Sequence, residues 1–126
     1  MKKINIEVSF RDKRGKITDL TENQNFNAAT IVTFKKNSVR GNHYHKKTVQ
    51  WNYLLSGKIK ILSRIPGKKV VQAVMKQGEM YVIGPNEHHS LTALKKSELL
   101  VLTKGPRGGK EYETDTYRLK TPLEAL

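Results

Sequence analysis

The chain has no cysteine. That excludes disulfides and thiolate metal sites and makes a reducing cytoplasm the expected compartment. No apolar run approaches the length of a membrane span. The start, MKKINIEVSF, lacks the unbroken apolar stretch of a secretory signal, so neither a membrane nor export is expected. Capped segments of helical period are missing too. Acidic residues are scarce: 11 Asp and Glu stand against 24 Lys and Arg, for a formal net charge of +13. Such a charge raises nucleic acid as a partner. The cations are scattered, however, through pairs such as Lys35-Lys36, Lys68-Lys69 and Lys95-Lys96. They form no basic helix, Gly-rich phosphate loop or zinc-finger spacing. The reading is therefore a solvated, lysine-rich surface rather than a nucleic-acid interface. A smaller anion such as a nucleoside diphosphate also suits a positive cleft.

What is present is period-two alternation. In KIKILSRI, Ile59, Ile61, Ser63 and Ile65 fall on one face, with Lys58, Lys60 and Arg64 on the other. Pro66-Gly67, Gly84-Pro85-Asn86, KKSE and GPRGG punctuate further short apolar segments. FRDKRGKITDL predicts a hairpin turning at Arg14-Gly15, and AATIVTFKK predicts another strand. The closing YRLKTPLEAL fits a turn of helix or an extended tail. No repeat or linker interrupts the 126 residues, so residues 1–126 are expected to form a single domain. Regularly spaced strands predict an all-β barrel or double-sheet jelly roll.

VRGNHYHKKTVQWNYLLSG, residues 39–57, carries the most chemistry. On an extended strand Gly41, His43 and His45 share a face. After the turn at Lys46-Lys47-Thr48, Gln50, Asn52 and Leu54 share a face, opposite Trp51, Tyr53 and Leu55. Further on, His89 and His88 face opposite ways. In a small barrel His43, His45, Gln50 and His89 could converge. They could hold a divalent metal or move a proton, or His43 and His45 could be an idle hydrogen-bonded pair. His88 reads as a surface or turn residue. Trp51 reads as packing between sheets or subunits, and Tyr112 and Tyr117 as packing of the tail.

These residues resemble the two motifs of the cupin superfamily. The first reads His43-Tyr44-His45, four residues, Gln50, six residues, Gly57. The second reads Gly78, five residues, Gly84-Pro85-Asn86, two residues, His89. Asn86 stands where the family has glycine, which fits a position of positive φ. The resemblance implies a cupin-type jelly-roll β-barrel. RGNHYHK, with DKRG upstream and GGKEYETDTYRL near the end, is similar to a narrower group that acts on nucleotide deoxysugars. That group includes the dTDP-4-keto-6-deoxyglucose 3,4-ketoisomerases and the C-terminal cupin of capsule-synthesis UDP-sugar enzymes. The dTDP-4-dehydrorhamnose 3,5-epimerases are a more distant likeness.

The resemblance implies an isomerase or epimerase that takes a dTDP- or UDP-linked 4-keto-6-deoxy sugar, with His43 and His45 in proton transfer. A ketone at C4 acidifies the neighbouring C–H bonds, and histidine titrates near neutrality, so the residues suit that work. Arg40 and Arg107 are candidates for the diphosphate, and Tyr53, Tyr81 or Tyr44 for a proton donor. Tyr53 is taken, with the two arginines, as substrate-binding. No organic cofactor is implied. His43, His45, Gln50 and His89 are the candidate ligands for zinc, nickel or iron. Gln50 replaces the usual glutamate and leaves that set neutral, and the isomerase and epimerase relatives work without metal. The alternative is a non-enzymatic or metal-binding cupin that holds a small ligand. Apolar residues on the outer face predict a homodimer joined by a sheet face, with an exchanged N-terminal strand as one way of making it.

Overall fold

Alternation sorts the side chains of each strand into an inner and an outer set. In β7 (Lys58–Arg64) the side chains of Ile59, Ile61 and Ser63 are buried, while Lys58, Lys60 and Arg64 reach toward solvent. In β11 (Ser97–Lys104) the inner set is Ser97, Leu99, Val101 and Thr103. Strands with one buried face need a second layer to cover it. The structure, a computed structural model describing residues 1–107, 109–111 and 113–126, supplies that layer as a second sheet.

One sheet runs, in spatial order, β1 (Lys2–Ile4), β9 (Met80–Ile83), β6 (Val49–Ser56), β11 and β4 (Ala28–Phe34). The other runs β12 (Tyr117–Arg118), β5 (Val39–Tyr44), β10 (His88–Ala93), β7 and β8 (Val71–Lys76). All of these pairings are antiparallel. Phe34, Leu54, Ile59, Ile61, Met75 and Leu99, drawn from both sheets, form one core. Each fully buried Leu or Ile there stabilises the fold by about 1.5–3 kcal/mol. This is the all-β double-sheet jelly roll that the strand pattern predicts.

The expected hairpin is present as β2 (Val8–Asp12) and β3 (Gly15–Thr18), with Asp12 opposite Gly15. It belongs to neither large sheet. Its paired Phe10 and Ile17 are 53% and 60% exposed. Ile65 lies just past the end of β7 and is exposed, so its strand stops one residue short of the predicted face. The tail is both things the sequence allows: β12 extends it, and a 3₁₀ turn at Leu123–Ala125 closes it. Leu123 is buried, and Asn42 and Ser90 hydrogen-bond the Glu124 carboxylate, which fastens this turn to the outer face of β5 and β10.

Gly57 and Gly41 are among the glycines that close contact requires. At Gly57, φ is +94°, and an added Cβ would lie 2.1 Å from Ser97 Oγ and 2.5 Å from the Lys96 carbonyl oxygen. At Gly41, φ is +96°, and a Cβ would lie 2.9 Å from the His89 carbonyl oxygen. Gly57 lets β6 turn tightly into β7. Gly41 lets β5 lie close against β10. Asn86 has φ +63°, as its place in the second motif requires, and its N–H donates to the His45 carbonyl at 2.6 Å.

Candidate functional site

β5 reaches β10 through an irregular register. His43 is opposite His89, and Gly41 is opposite Ser90, so Asn42 is the extra residue of a bulge. Asn42 takes φ +55°, which asparagine tolerates, and its side-chain oxygen accepts from the Leu123 N–H at 2.9 Å. Beyond the bulge, alternation turns His43 and His45 to the interior, where His89 meets them from β10. Ring centroids are 4.8 Å apart for His43 and His45, 4.6 Å for His43 and His89, and 5.2 Å for His45 and His89. One ring nitrogen from each lies within 4.8 Å of the others. Gln50 and Asn52 face them from β6 in the opposite sheet.

The hydrogen bonds around these rings decide which nitrogens are free. His45 Nδ1 is 2.8 Å from the Asp115 carbonyl oxygen, and His89 Nδ1 is 3.0 Å from the Glu87 carbonyl oxygen. A carbonyl only accepts, so each Nδ1 carries the proton and donates. In the neutral ring, Nε2 then keeps its lone pair for the cavity. His45 Nε2 and His43 Nδ1 are buried without a hydrogen-bond partner. Burial pushes His43 down to about 3, helped by repulsion from His89, His45, Arg118 and Arg107. Burial likewise pushes His89 down to about 3, helped by His45, His88 and the chain's amino terminus. Both rings are neutral bases at physiological pH.

Two carboxylates hold this arrangement from behind. Asp115 accepts from the Lys46 and Lys47 N–H groups at 3.0 and 2.9 Å and from the Thr48 hydroxyl at 2.7 Å. Burial would raise its carboxyl, but these hydrogen bonds outweigh burial and hold it below the usual range. The same residue thus closes the β5–β6 turn and presents its carbonyl to His45. Glu87 accepts from the Gly84 N–H at 3.1 Å and the Ser63 hydroxyl at 3.0 Å, and pairs with the Met1 ammonium.

The cavity, of about 360 Å³, is within the size range of small-ligand sites and has three parts. The three imidazoles, Gln50 and Asn52 make its polar end. Val32, Phe34, Leu91, Leu99 and Val101 make an apolar wall. Arg40, Arg107, Arg118, Glu113 and Thr116 line it as well, and Arg40, Arg118 and Glu113 are exposed, so they form its rim. Arg40 donates to the Thr33 carbonyl at 3.0 Å and lies over the Phe34 ring. Arg118 is opposite His43 on β12 and pairs with Glu113 at 2.8 Å.

His43, His45, Gln50, His89, Arg40 and Arg107 therefore come together around one cavity. Tyr53 does not. The pleat that turns Gln50 and Asn52 inward turns Tyr53 outward, beside Trp51 and Leu55. Nor do the other candidate proton donors line the cavity: Tyr81 is in the core, and Tyr44 stacks between His88 and Tyr117 on the outer face. His88 faces outward, as expected, 3.0 Å from an Arg64 nitrogen. Trp51 packs edge-on against Phe26. Tyr112 is outside the described residues. The residues that sequence reasoning missed are Asp115, Glu113, Thr116 and Arg118. Asn52 was legible as a facemate of Gln50 but was given no role.

The low pKa values of His43 and His89 give a pH dependence of stability. The ordinary value of each is 6.5, against about 3 in the folded chain. Between these values the unfolded chain binds protons that the folded chain refuses. The contribution is full above the ordinary value and is lost as pH falls toward the folded one. Urea midpoints measured from about pH 7 to about pH 4 should therefore fall, and His89→Asn should reduce the slope by about one proton. An unchanged slope in that variant would contradict the buried neutral state of His89.

A family model described as Polysaccharide biosynthesis C-terminal domain matches residues 10–117. No curated protein matches the chain significantly. Among solved structures, the chain is similar to QdtA, a sugar 3,4-ketoisomerase from Thermoanaerobacterium thermosaccharolyticum in complex with TDP. The identity is 25% and the TM-score 0.73, over 91% of this chain and 86% of that one. It is similar to dTDP-4-dehydrorhamnose 3,5-epimerase from Sulfolobus tokodaii, with 22% identity and a TM-score of 0.68, over 79% of this chain and 68% of that one. It is also similar to the capsular polysaccharide assembling protein CapF from Staphylococcus aureus, with 18% identity and a TM-score of 0.64. There the match covers 93% of this chain and 33% of CapF. The last two are likenesses of fold.

Proposed function

The chain belongs to the polysaccharide biosynthesis C-terminal domain family, and we propose that it is an isomerase or epimerase of a nucleotide-linked 4-keto-6-deoxy sugar. It works by histidine-mediated proton transfer beside the ketone, in a single cupin domain. The observation that carries this reading is the polarity of the cavity. Unpartnered imidazole nitrogen lies at one end and guanidinium groups line the rim. A sugar with an acidified C–H and a diphosphate is complementary to both. The TDP held by QdtA has the nucleoside-diphosphate half of such a molecule.

The mechanism follows from the tautomers. His45 Nε2 accepts the proton from the carbon next to the ketone. The imidazolium so formed keeps its Nδ1–H on the Asp115 carbonyl, which holds the ring in place during transfer. The neighbouring neutral imidazole of His43 takes that proton from the His45 imidazolium and returns it to the enediol or enolate, so both rings end neutral. Return to the opposite face of the same carbon inverts it, and return to the adjacent carbon moves the ketone. Arg40 and Arg107, joined by Arg118, hold the diphosphate. The apolar wall takes the C6 methyl, where a hydroxyl would be buried without a partner. Positioned acid–base groups of this sort contribute about 10²–10⁴-fold in rate.

The direct test is solvent deuterium exchange into a dTDP- or UDP-linked 4-keto-6-deoxyhexose at a carbon next to the ketone. Exchange reports the proton abstraction that epimerase and ketoisomerase have in common. His43→Asn and His45→Asn should each lower it by about 100-fold or more. Wild-type protein that exchanges neither nucleotide series above buffer would remove the enzyme reading. Exchange that survives both substitutions would remove these bases.

A second reading, a metal-binding small-ligand cupin, is favoured by the same three imidazoles. Their donor set suits a divalent transition metal: three imidazoles, closely spaced nitrogens, and two buried nitrogens without partners. His43, His45 and His89 would hold the ion, with the Gln50 amide oxygen as a fourth donor. A bound ion would polarise the substrate's carbonyl oxygen. Elemental analysis of protein purified without chelator or metal-affinity resin checks this. Gln50→Glu should raise the metal content and His89→Ala should abolish it. Equal content in wild type and His89→Ala would place any metal elsewhere.

We also propose that the protein is a homodimer. The β2–β3 hairpin supports this, since it stands outside both sheets with Phe10 and Ile17 exposed. A lone two-stranded hairpin is marginal in water and gains most by packing on a second copy. Light scattering should give a dimer mass. A monomer mass at concentrations of tens of micromolar would overturn it.

A further inference from the structure

We propose that Asn52 determines which sugar the cavity accepts, by reading a hydrogen-bond donor on the sugar ring. The inference rests on the sugar-nucleotide reading above and deepens it. Asn52 is only 3% exposed, yet it lines the cavity on the inner face of β6 beside Gln50. Its Nδ2 lies 3.3 Å from the Gln50 carbonyl oxygen and 3.2 Å from the Tyr81 carbonyl oxygen. Both partners are backbone acceptors. The amide therefore has one orientation, with both N–H groups directed at β6 and β9. Its Oδ1 has no hydrogen-bond partner among the described residues.

An oxygen fixed in this way can only accept. It cannot stabilise an enolate and it cannot hold a phosphate. The groups it can satisfy are a hydroxyl or the N–H of an acylamino substituent. Its neighbours sharpen the choice. His45 and His89 donate their Nδ1 protons to backbone carbonyls, so in the neutral state they too present acceptors. The polar end of the cavity thus favours a ring face that carries donors. In a 4-keto-6-deoxy sugar joined to a nucleotide at C1, C4 is a ketone and C6 a methyl, and the C5 oxygen closes the ring. The donors left are the substituents at C2 and C3. Asn52 reads one of these two.

Asn52 also links β6 to β9, so a purely structural role has to be separated from recognition. Calorimetric titration with dTDP-6-deoxyglucose and its 2-deoxy and 3-deoxy counterparts does so, because a structural role would not discriminate among the three. Wild-type protein should bind one of the two deoxy compounds about 10-fold or more weakly than the parent, since losing the donor leaves a buried acceptor unpaired. Asn52→Leu should bind that compound and the parent equally well. Asn52→Ala serves if melting curves show that the leucine variant does not fold. The proposal falls if wild type binds all three alike, or if the preference survives in the folded variant. Wild-type protein that, while folded, binds none of the three as dTDP compounds and none as their UDP counterparts would overturn the sugar-nucleotide reading itself, and the role of Asn52 with it.

Discussion

The close approach of β5 to β10 at Gly41 is the constraint on which the site depends. A side chain at that position would meet the His89 backbone. Without one, the bulge at Asn42 can form and His43 can lie opposite His89. The bulge also exposes the Asn42 amide to the tail, which it holds through Leu123 and Glu124. One local irregularity therefore gathers two histidine motifs that are far apart in sequence and anchors the chain's last turn behind them. The neighbouring corner is fastened in the same spirit, with the Asn86 N–H on the His45 carbonyl.

Three imidazoles within contact of one another would repel if charged, and burial removes the water that would screen them. The fold resolves this by keeping His43 and His89 neutral and by directing the Nδ1 protons of His45 and His89 at carbonyls. The outcome is a patch of lone pairs facing a rim of guanidinium groups. That separation of acceptors from cations gives the cavity a direction: its rim is complementary to an anionic group and its inner end to hydrogen-bond donors.

The strong positive charge has a structural side. With only 11 acidic residues in the chain, several are engaged internally. Asp115 and Glu87 are buried on backbone N–H groups and hydroxyls, and Glu124 fastens the tail. Carboxylates used this way stabilise turns and tautomers rather than balance surface lysines. Such lysines are screened at physiological salt and contribute little to the fold.

Alternation and turn chemistry were enough to read the strands, the Arg14-Gly15 hairpin, the inward faces of His43, His45 and Gln50, and the positive φ of Asn86. These are local properties, set by the pleat and by which residues tolerate a left-handed backbone. Tyr53 shows how far that reading reaches: its own alternation with Gln50 already placed it outside the cavity, and its chemical suitability did not change the pleat. Asp115 and Arg118 were beyond local reasoning. Asp115 meets His45 across 70 residues of chain, and Arg118 reaches His43 only through the pairing of β12 with β5. Sequence by itself determined which residues alternate inward, and so that His43, His45, Gln50 and His89 share one interior. Only the tertiary structure decided which nitrogens keep their lone pairs, because that depends on carbonyls delivered by distant segments, and a carbonyl's direction is set by the packed backbone rather than by the residue that bears it.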